Sequence, residues 1–316
     1  VVLARFPGRV DLSGAARRFA VVASRLTPTN RQLVEAARRL GASSSLLRPP
    51  EAAASLRPGD LALGRLDVLP SLDGVEPGLE ALRSLEQRAV DVLNRPGSLL
   101  AAHDKLATAL RLGLAGLPHP RTAHVGEDGR PDLELPVVVK PRFGSWGRDV
   151  TICGSPKALG RCLRRLRHRS WFCRQGALVQ ELVRPQGHDL RVVVAGGTIV
   201  GAVERVAAEG EWRTNVALGA RRRTVEPPPG ACLLALGAAQ AVGADLAGVD
   251  LLPDGSGGYV VLEVNGAVDF NEEYSLDGED VFERAVGALL LGRYARGDEE
   301  EAEADEALSL SAGAWA

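Results

Sequence analysis

The chain has 316 residues, 45% of them hydrophobic and 25% charged, with a formal charge of −2. This is an ordinary globular composition with length for two or three subdomains, and it excludes a generally basic nucleic-acid binder. No stretch approaches the ~20 apolar residues of a membrane span and no signal-peptide pattern opens the chain, so a cytoplasmic protein is expected, with no membrane partner. The cysteines Cys153, Cys162, Cys173 and Cys232 lack CxxC spacing and read as buried thiols.

In chain order, the first ~95 residues read as a small α/β unit. "FAVVAS" is a strand, Thr29 or Asn30 caps a helix through Arg39, "SSLL" and "DLALGRL" are short strands, and 80–90 is helical. No glycine-rich phosphate loop follows the first strand, so the unit is Rossmann-like in shape without a dinucleotide signature. Residues 92–118 hold a turn at Pro96-Gly97 and then one helix ended by Gly113 or Gly116. "PVVVKPRFGSWGRDVTIC" is strand, glycine loop and strand; a basic helix over 157–169 follows.

Strands "ALVQELV" and "DLRVVVAGGTIVGAVERVA" come next, then a helix from Pro229 to Val242 and the paired strands "LAGVDLLP" and "GYVVLEVN". A helix from Glu279 to about Arg293 closes the fold, and 297–316, with "DEEEAEADE", reads as a disordered acidic tail.

Chemistry concentrates where strands run out. Alternation puts Glu263 and Asn265 on one face of their strand, and the partner strand brings Asp250 beside them. Three hard oxygen donors suit Mg²⁺; a solvated strand end with a turn-forming Asn fits equally well. Lys140 ends a four-residue apolar run, and a lysine leaving a buried strand needs a partner such as phosphate. Gly144 and Gly147, just beyond it, would let backbone amides approach phosphate oxygens.

The ordered set "HDKLAT", "PVVVKP…GSWGRDV", "LVQELV…GHDLRVVVAGG", "VERV…EGEWRTN", "AGVDLL" and "LEVN" resembles an ATP-grasp ligase of the RimK type. The loop "GSWGR" is more similar to the LysX branch, which acts in lysine biosynthesis on an amino-group carrier protein. The resemblance covers about residues 92 to 290. It implies an α/β (α+β) chain: two α+β subdomains clasping ATP (96–175 and 176–296), after a Rossmann-like preATP-grasp domain (1–95).

The resemblance also implies roles. Lys105 and Lys140 match the lysines that hold ATP phosphates, and Gly144, Ser145, Trp146 and Gly147 match the lid. Gln180, Glu181, Leu182 and Val183 match the hinge that meets adenine, with Asp189 near the ribose. Asp250, Glu263 and Asn265 match the ligands of Mg²⁺ or Mn²⁺; Arg191, Arg213 and Asn215 match positions near the acyl phosphate and the substrate carboxylate.

The implied activity is ATP-dependent carboxylate–amine ligation through an acyl phosphate, attaching glutamate or an aminoadipate-like amino acid to a carrier protein, peptide or metabolite. The alternative is a nucleotide-binding regulatory protein with a degenerate site. The implied partners are ATP, an amino acid and a small acidic carrier, with a homo-oligomeric state. Plainer readings stand beside these: Asp189 and Arg191 as an exposed cross-strand pair, Lys105 solvated, Glu181 flanking a strand and Trp146 packed in its loop. Two stretches depart from the family pattern: "VALGARRR" after "RTN", and "GAVDFNEEYS" after "LEVN".

Overall fold

The computed structural model describes residues 18–126, 129 and 131–292; the segment 297–316 lies outside the described residues. The first unit alternates β1 (Phe19–Val22), α1 (Pro28–Arg39), β2 (Ser44–Leu47), α2 (Pro49–Ser55), β3 (Leu61–Gly64), α3 (Leu79–Gln87) and β4 (Asp91–Leu93). Its strands pair in parallel in the order β2-β1-β3-β4. The α1 cap is Thr27, whose side chain accepts from Asn30 N, and not Thr29 or Asn30. Pro28 supplies the fixed φ that suits the first helical position. Thr29 and Asn30 are instead buried in the first turn.

Two helices follow where one was expected: α4 (Pro96–His103) and α5 (Lys105–Leu114). Asp104 divides them. It is extended (φ −84°, ψ 99°), and its carboxylate accepts from Leu106 N, capping the new helix.

A second sheet is formed by β5 (Thr122–Val125), β6 (Val137–Pro141), β7 (Thr151–Cys153) and, after α6 (Pro156–Leu166) and α7 (Ser170–Gln175), β8 (Ala177–Glu181). Its antiparallel order is β5-β8-β6-β7, so β8 pairs with strands from before residue 175, across the expected subdomain limit.

The third sheet contains β9 (His188–Ala195), β10 (Thr198–Val206), β11 (Arg221–Thr224) and, after α8 (Pro229–Val242), β12 (Leu246–Pro253) and β13 (Tyr259–Asn265). Its antiparallel order is β11-β10-β9-β12-β13, and a helix α9 over 281–292 follows. α8 packs Ala235, Ala238 and Val242 against Val192, Val249 and Val261 on one face of this sheet. The other face joins Val193, Val203 and Leu246 to Phe282 and Leu289 of α9 and to Phe19 and Leu33 of the first unit, in one core. Cys153, Cys162 and Cys232 are buried as expected; Cys173 is exposed. Among the described residues no helix is long and apolar enough to cross a membrane.

Asn94 locks the first unit to the third sheet. It is fully buried with φ 50°, in the left-handed region. Its Nδ2 donates to Leu246 O (2.8 Å) and Gly266 O (2.9 Å), while its Oδ1 accepts from the backbone N–H of Asp245 (2.8 Å) and Leu246 (3.0 Å). All four hydrogen-bonding positions of the carboxamide are thus used. Asn94→Ala should lower unfolding stability by about 3 kcal/mol or more, because it strands several buried backbone groups at once. Urea unfolding of the two proteins measures this; a loss below about 1 kcal/mol would contradict the assigned role.

Candidate functional site

Register fixes the site. Residues directly opposite each other in an antiparallel pair project to the same side of the sheet. Arg205 of β10 faces Asp189 of β9, Arg191 of β9 faces Asp250 of β12, and Asp250 faces Glu263 of β13. Four strands therefore carry a row of charged side chains on one face. Two bulges produce this row. At Val200 the β9–β10 register shifts by one residue, and at Leu262 the β12–β13 register does the same, turning both Leu262 and Glu263 into the cleft.

The row is a buried charge network. Arg205 donates from Nε to Asp189 Oδ1 (2.7 Å) and from Nη2 to Asp189 Oδ2, and Nη2 also reaches Asp250 Oδ2 (2.8 Å). Arg191 grips Asp250 with Nε–Oδ1 of 2.6 Å and Nη2–Oδ2 of 2.7 Å. Thr214 Oγ1 donates to Asp189 Oδ2 (2.5 Å). Burial opposes ionisation of Asp250, but the Arg191 and Arg205 guanidiniums outweigh it and hold the carboxyl well below the usual range. At Asp189 burial prevails and pushes the carboxyl up, against the pull of Arg205.

The second sheet forms the opposite wall. Between them lies an open cleft lined by residues of both sheets and of the 144–147 loop. Lys140 is buried on β6, with Nζ donating to Gln180 Oε1 of β8 at 2.7 Å. Burial lowers its pKa from the ordinary 10.5 to about 8, helped by the neighbouring Lys105 charge and resisted by Glu263. Lys105 opens α5; its Nζ donates to Gly144 O (2.6 Å) and lies 3.1 Å from Glu263 Oε2. Asp104 secures that approach by taking Arg142, just before the lid, through Nε–Oδ1 of 2.7 Å and Nη2–Oδ2 of 2.5 Å.

The lid 144–147 lies over the cleft with Trp146 (φ 60°) and Gly147 (φ 67°) in the left-handed region. Arg213 Nη1 donates to Gly147 O at 2.9 Å, and a Cβ added to Gly147 would come within 2.7 Å of Asn215 Oδ1. Arg213 is itself paired with Glu211, whose carboxyl is held down at about 2, mainly by the hydrogen bond from Arg213. Val138 of β6, Leu252 and Leu262 of the third sheet, and Leu182 and Val183 add an apolar part to the lining.

The model of the RimK-like ATP-grasp domain matches residues 114–282, more than half of the chain. The chain belongs to the RimK-like ATP-grasp family. A probable alpha-L-glutamate ligase of Thioalkalivibrio sulfidiphilus is 32% identical over 83% of this chain and 91% of its own length. Beta-citrylglutamate synthase B of Danio rerio is 29% identical over 69% of this chain, which spans 56% of that protein's length. A RimK domain ATP-grasp protein of Sphaerobacter thermophilus superposes with a TM-score of 0.61 at 25% identity, over 87% of this chain and 99% of its own. The chain thus has the ATP-grasp ligase fold, as its sequence led one to expect.

Most of the expected residues of this RimK-like site line the cleft: Lys105, Lys140, the lid 144–147, the strand and hinge 180–183, Asp189, Arg213, Asn215, Asp250 and Glu263. Arg191 and Asn265 are not among its lining residues, but Asn265 Nδ2 lies 3.5 Å from Oε1 of the cleft-lining Glu263. Asp189 and Arg191 are not an exposed pair with each other, because each is buried against a partner on a neighbouring strand. Nor is Lys105 solvated. Arg205 and Thr214 were missed, although both lie in the quoted segments "VERV" and "RTN". Of the arginines after "RTN", Arg222 pairs with Glu273 and Arg223 with Glu204.

The oxygens present fit a divalent cation. Asp250 Oδ1 accepts one hydrogen bond and Oδ2 two, so of a carboxylate's roughly four acceptor directions one remains, on Oδ1. Glu263 faces the cleft, and Asn265, whose Nδ2 donates to Gly248 O (3.3 Å), keeps its amide oxygen for a cation. Among the described residues no group of three or more His, Cys, Asp or Glu suits a metal, so this set is complete only with a carboxamide and substrate oxygens.

The Lys140 shift has a sign that can be measured. Below about pH 8 the lysine is charged folded and unfolded, and burial of the charge costs stability. Between about 8 and 10.5 the unfolded chain keeps a proton that the folded one has released, so stability rises with pH. The stability of the native protein relative to Lys140→Met should therefore improve by about 2–3 kcal/mol from pH 7 to pH 10.5. Urea unfolding across that range checks it, and a flat difference would contradict the shift.

Proposed function

We propose that this chain is an ATP-dependent carboxylate–amine ligase that forms an amide through an acyl phosphate. The observation that carries this reading is the meeting of Lys105 Nζ with Glu263 Oε2 and Gly144 O, which joins a lysine, a carboxylate and the lid at one point. A nucleotide would lie with its base between Val138 and Leu262, near 181–183, and its phosphates toward Lys105, Lys140 and the lid amides. Glu263, Asn265 and the free direction of Asp250 would hold Mg²⁺ or Mn²⁺, which when bound neutralises charge on the phosphates.

In this reading a substrate carboxylate oxygen attacks the γ-phosphorus and ADP leaves with its electron pair. The amine nitrogen then attacks the acyl carbon, phosphate leaves, and the amine's surplus proton goes to solvent. Lys105 and Lys140 balance the charge that develops. The lid, held shut through Arg213 and Asn215, excludes water that would hydrolyse the acyl phosphate. No protein nucleophile is required. The relatives' names support glutamate as the amino acid added. The exposed Arg161, Arg164, Arg165 and Arg169 support an acidic carrier as acceptor.

Glu263→Gln should keep the fold and reduce turnover by at least ~10²-fold, the size expected for removing one electrostatic stabiliser. Phosphate release from Mg²⁺-ATP in the presence of L-glutamate and candidate carboxylates measures it; full activity would remove Glu263 from the site. Limited proteolysis at 144–147 should slow several-fold on adding an ATP analogue. Unchanged cleavage at saturation would count against the lid.

A further inference from the structure

Arg65 Nη1 and His103 Nε2 are two of the eight buried side-chain polar atoms that lack a hydrogen-bond partner among the described residues. Both border the loop 266–269, Arg65 at Asp269 and His103 at Gly266. Arg65 directly follows β3, at the carboxyl end of a parallel strand, where open α/β sheets receive ligands. Its side chain is 1% exposed. Nε donates to Asn30 Oδ1 at 2.8 Å, and Nη2 lies 3.5 Å from Asp269 Oδ1, at the limit of hydrogen-bonding range. Asp269 is a loose counter-ion: its side chain is 62% exposed, on the loop that leaves Asn265. A guanidinium this deep normally has a well-made carboxylate partner, because burial of its charge is otherwise costly.

His103, at the end of α4, hydrogen-bonds the backbone of Leu66, next to Arg65, while Nε2 faces Gly266. Burial lowers its pKa to about 4, so the ring is neutral and Nε2 stands as an acceptor toward Gly266. The surroundings are rigid. Thr29 Oγ1 donates to Phe270 O (3.1 Å) and accepts from Phe270 N (3.2 Å), fixing the loop to α1. The place is also next to the chemistry, since His103 precedes Lys105 by two residues and Gly266 follows Glu263 by three.

We propose that Arg65 and the loop 266–269 form the subsite for the α-carboxylate of the amino acid whose amine is ligated, with Asp269 standing in its place beforehand. This rests on the ligase reading above. A carboxylate is the group that satisfies a buried bidentate donor, and Nε2 of His103 offers the acceptor that an amine of the same molecule needs. The amine is thereby presented from the first unit toward the phosphate end of the cleft.

The test is calorimetric titration of the whole protein, with Mg²⁺ and a non-hydrolysable ATP analogue present. The probes are L-glutamate and γ-aminobutyrate, which is glutamate without its α-carboxylate. The native protein should bind L-glutamate at least ~10-fold more tightly than γ-aminobutyrate, and Arg65→Lys should abolish that preference. Asp269→Asn, a change at an exposed side chain, should tighten L-glutamate binding by about threefold or more by removing the resident competitor. The ATP-analogue affinity of both variants reports that they are folded. Equal binding of the two probes by the native protein, or an undiminished preference in Arg65→Lys, would overturn the subsite and leave the ligase reading in place. Failure of the native protein to bind the ATP analogue would overturn the ligase reading and the subsite with it.

Discussion

The structure depends on one buried arrangement of charge. Arg205, on the middle strand of the β11-β10-β9 edge, is shared between Asp189 and Asp250, and Arg191 completes the balance on Asp250. Two carboxylates and two guanidiniums out of water are costly apart and tolerable only together; removing one partner of such a set typically costs about 3–5 kcal/mol. The consequence is geometric. Each group is fixed by bonds from a different strand, so the sheet cannot slip without separating charges. From Asp189 the constraint passes through Thr214 to the adjacent Arg213 and Asn215, and through these to Gly147 of the lid.

Opposite that network, the second sheet supplies the cations. Lys140 is buried against a neutral carboxamide, Gln180, rather than a carboxylate, which leaves its charge under-compensated inside the cleft. Lys105 leans on Glu263 and on the lid carbonyl, so the free protein already holds the opposed walls together by attraction across the gap. A polyanion with its own cation fits between these walls because it replaces a partial compensation with a full one. The first unit contributes as well. Trp146 of the 144–147 loop has the guanidiniums of Arg25 of that unit (5.9 Å to the ring centroid) and of Arg148 (5.1 Å) against its ring, and Arg148 Nη1 donates to Pro70 O. The 144–147 loop is therefore held by residues of the first unit as well as by its own neighbours.

Much of this was legible in the residues. The α8 helix from Pro229 to Val242 and the strand "LAGVDLLP" are read with their exact limits, because Pro at the start, Gly243 at the end and continuous apolar runs are local signals. The pairing of Asp250 with Glu263 and the placing of Lys140 beside a glycine lid were legible for the same reason. Arg205 was not. Counting outward from the Ala195–Thr198 pair sets Glu204 against Asp189, a juxtaposition of like charges, and only the bulge at Val200 brings Arg205 there. Leu262 was hidden by the same kind of shift, since strict alternation turns it away from Glu263. Asn94 and Arg65 were silent because their partners are remote in sequence and their roles exist only after the first unit docks.

The central claim is that the cleft between the second and third sheets is the clasp of a nucleoside triphosphate. The most direct measurement is a crystal structure of the protein with Mg²⁺ and a non-hydrolysable ATP analogue. The account predicts phosphates between Lys105, Lys140 and Glu263, a metal on Glu263 and Asn265, and the purine between Val138 and Leu262. A nucleotide ordered anywhere else, or an empty cleft at saturating analogue, would contradict it.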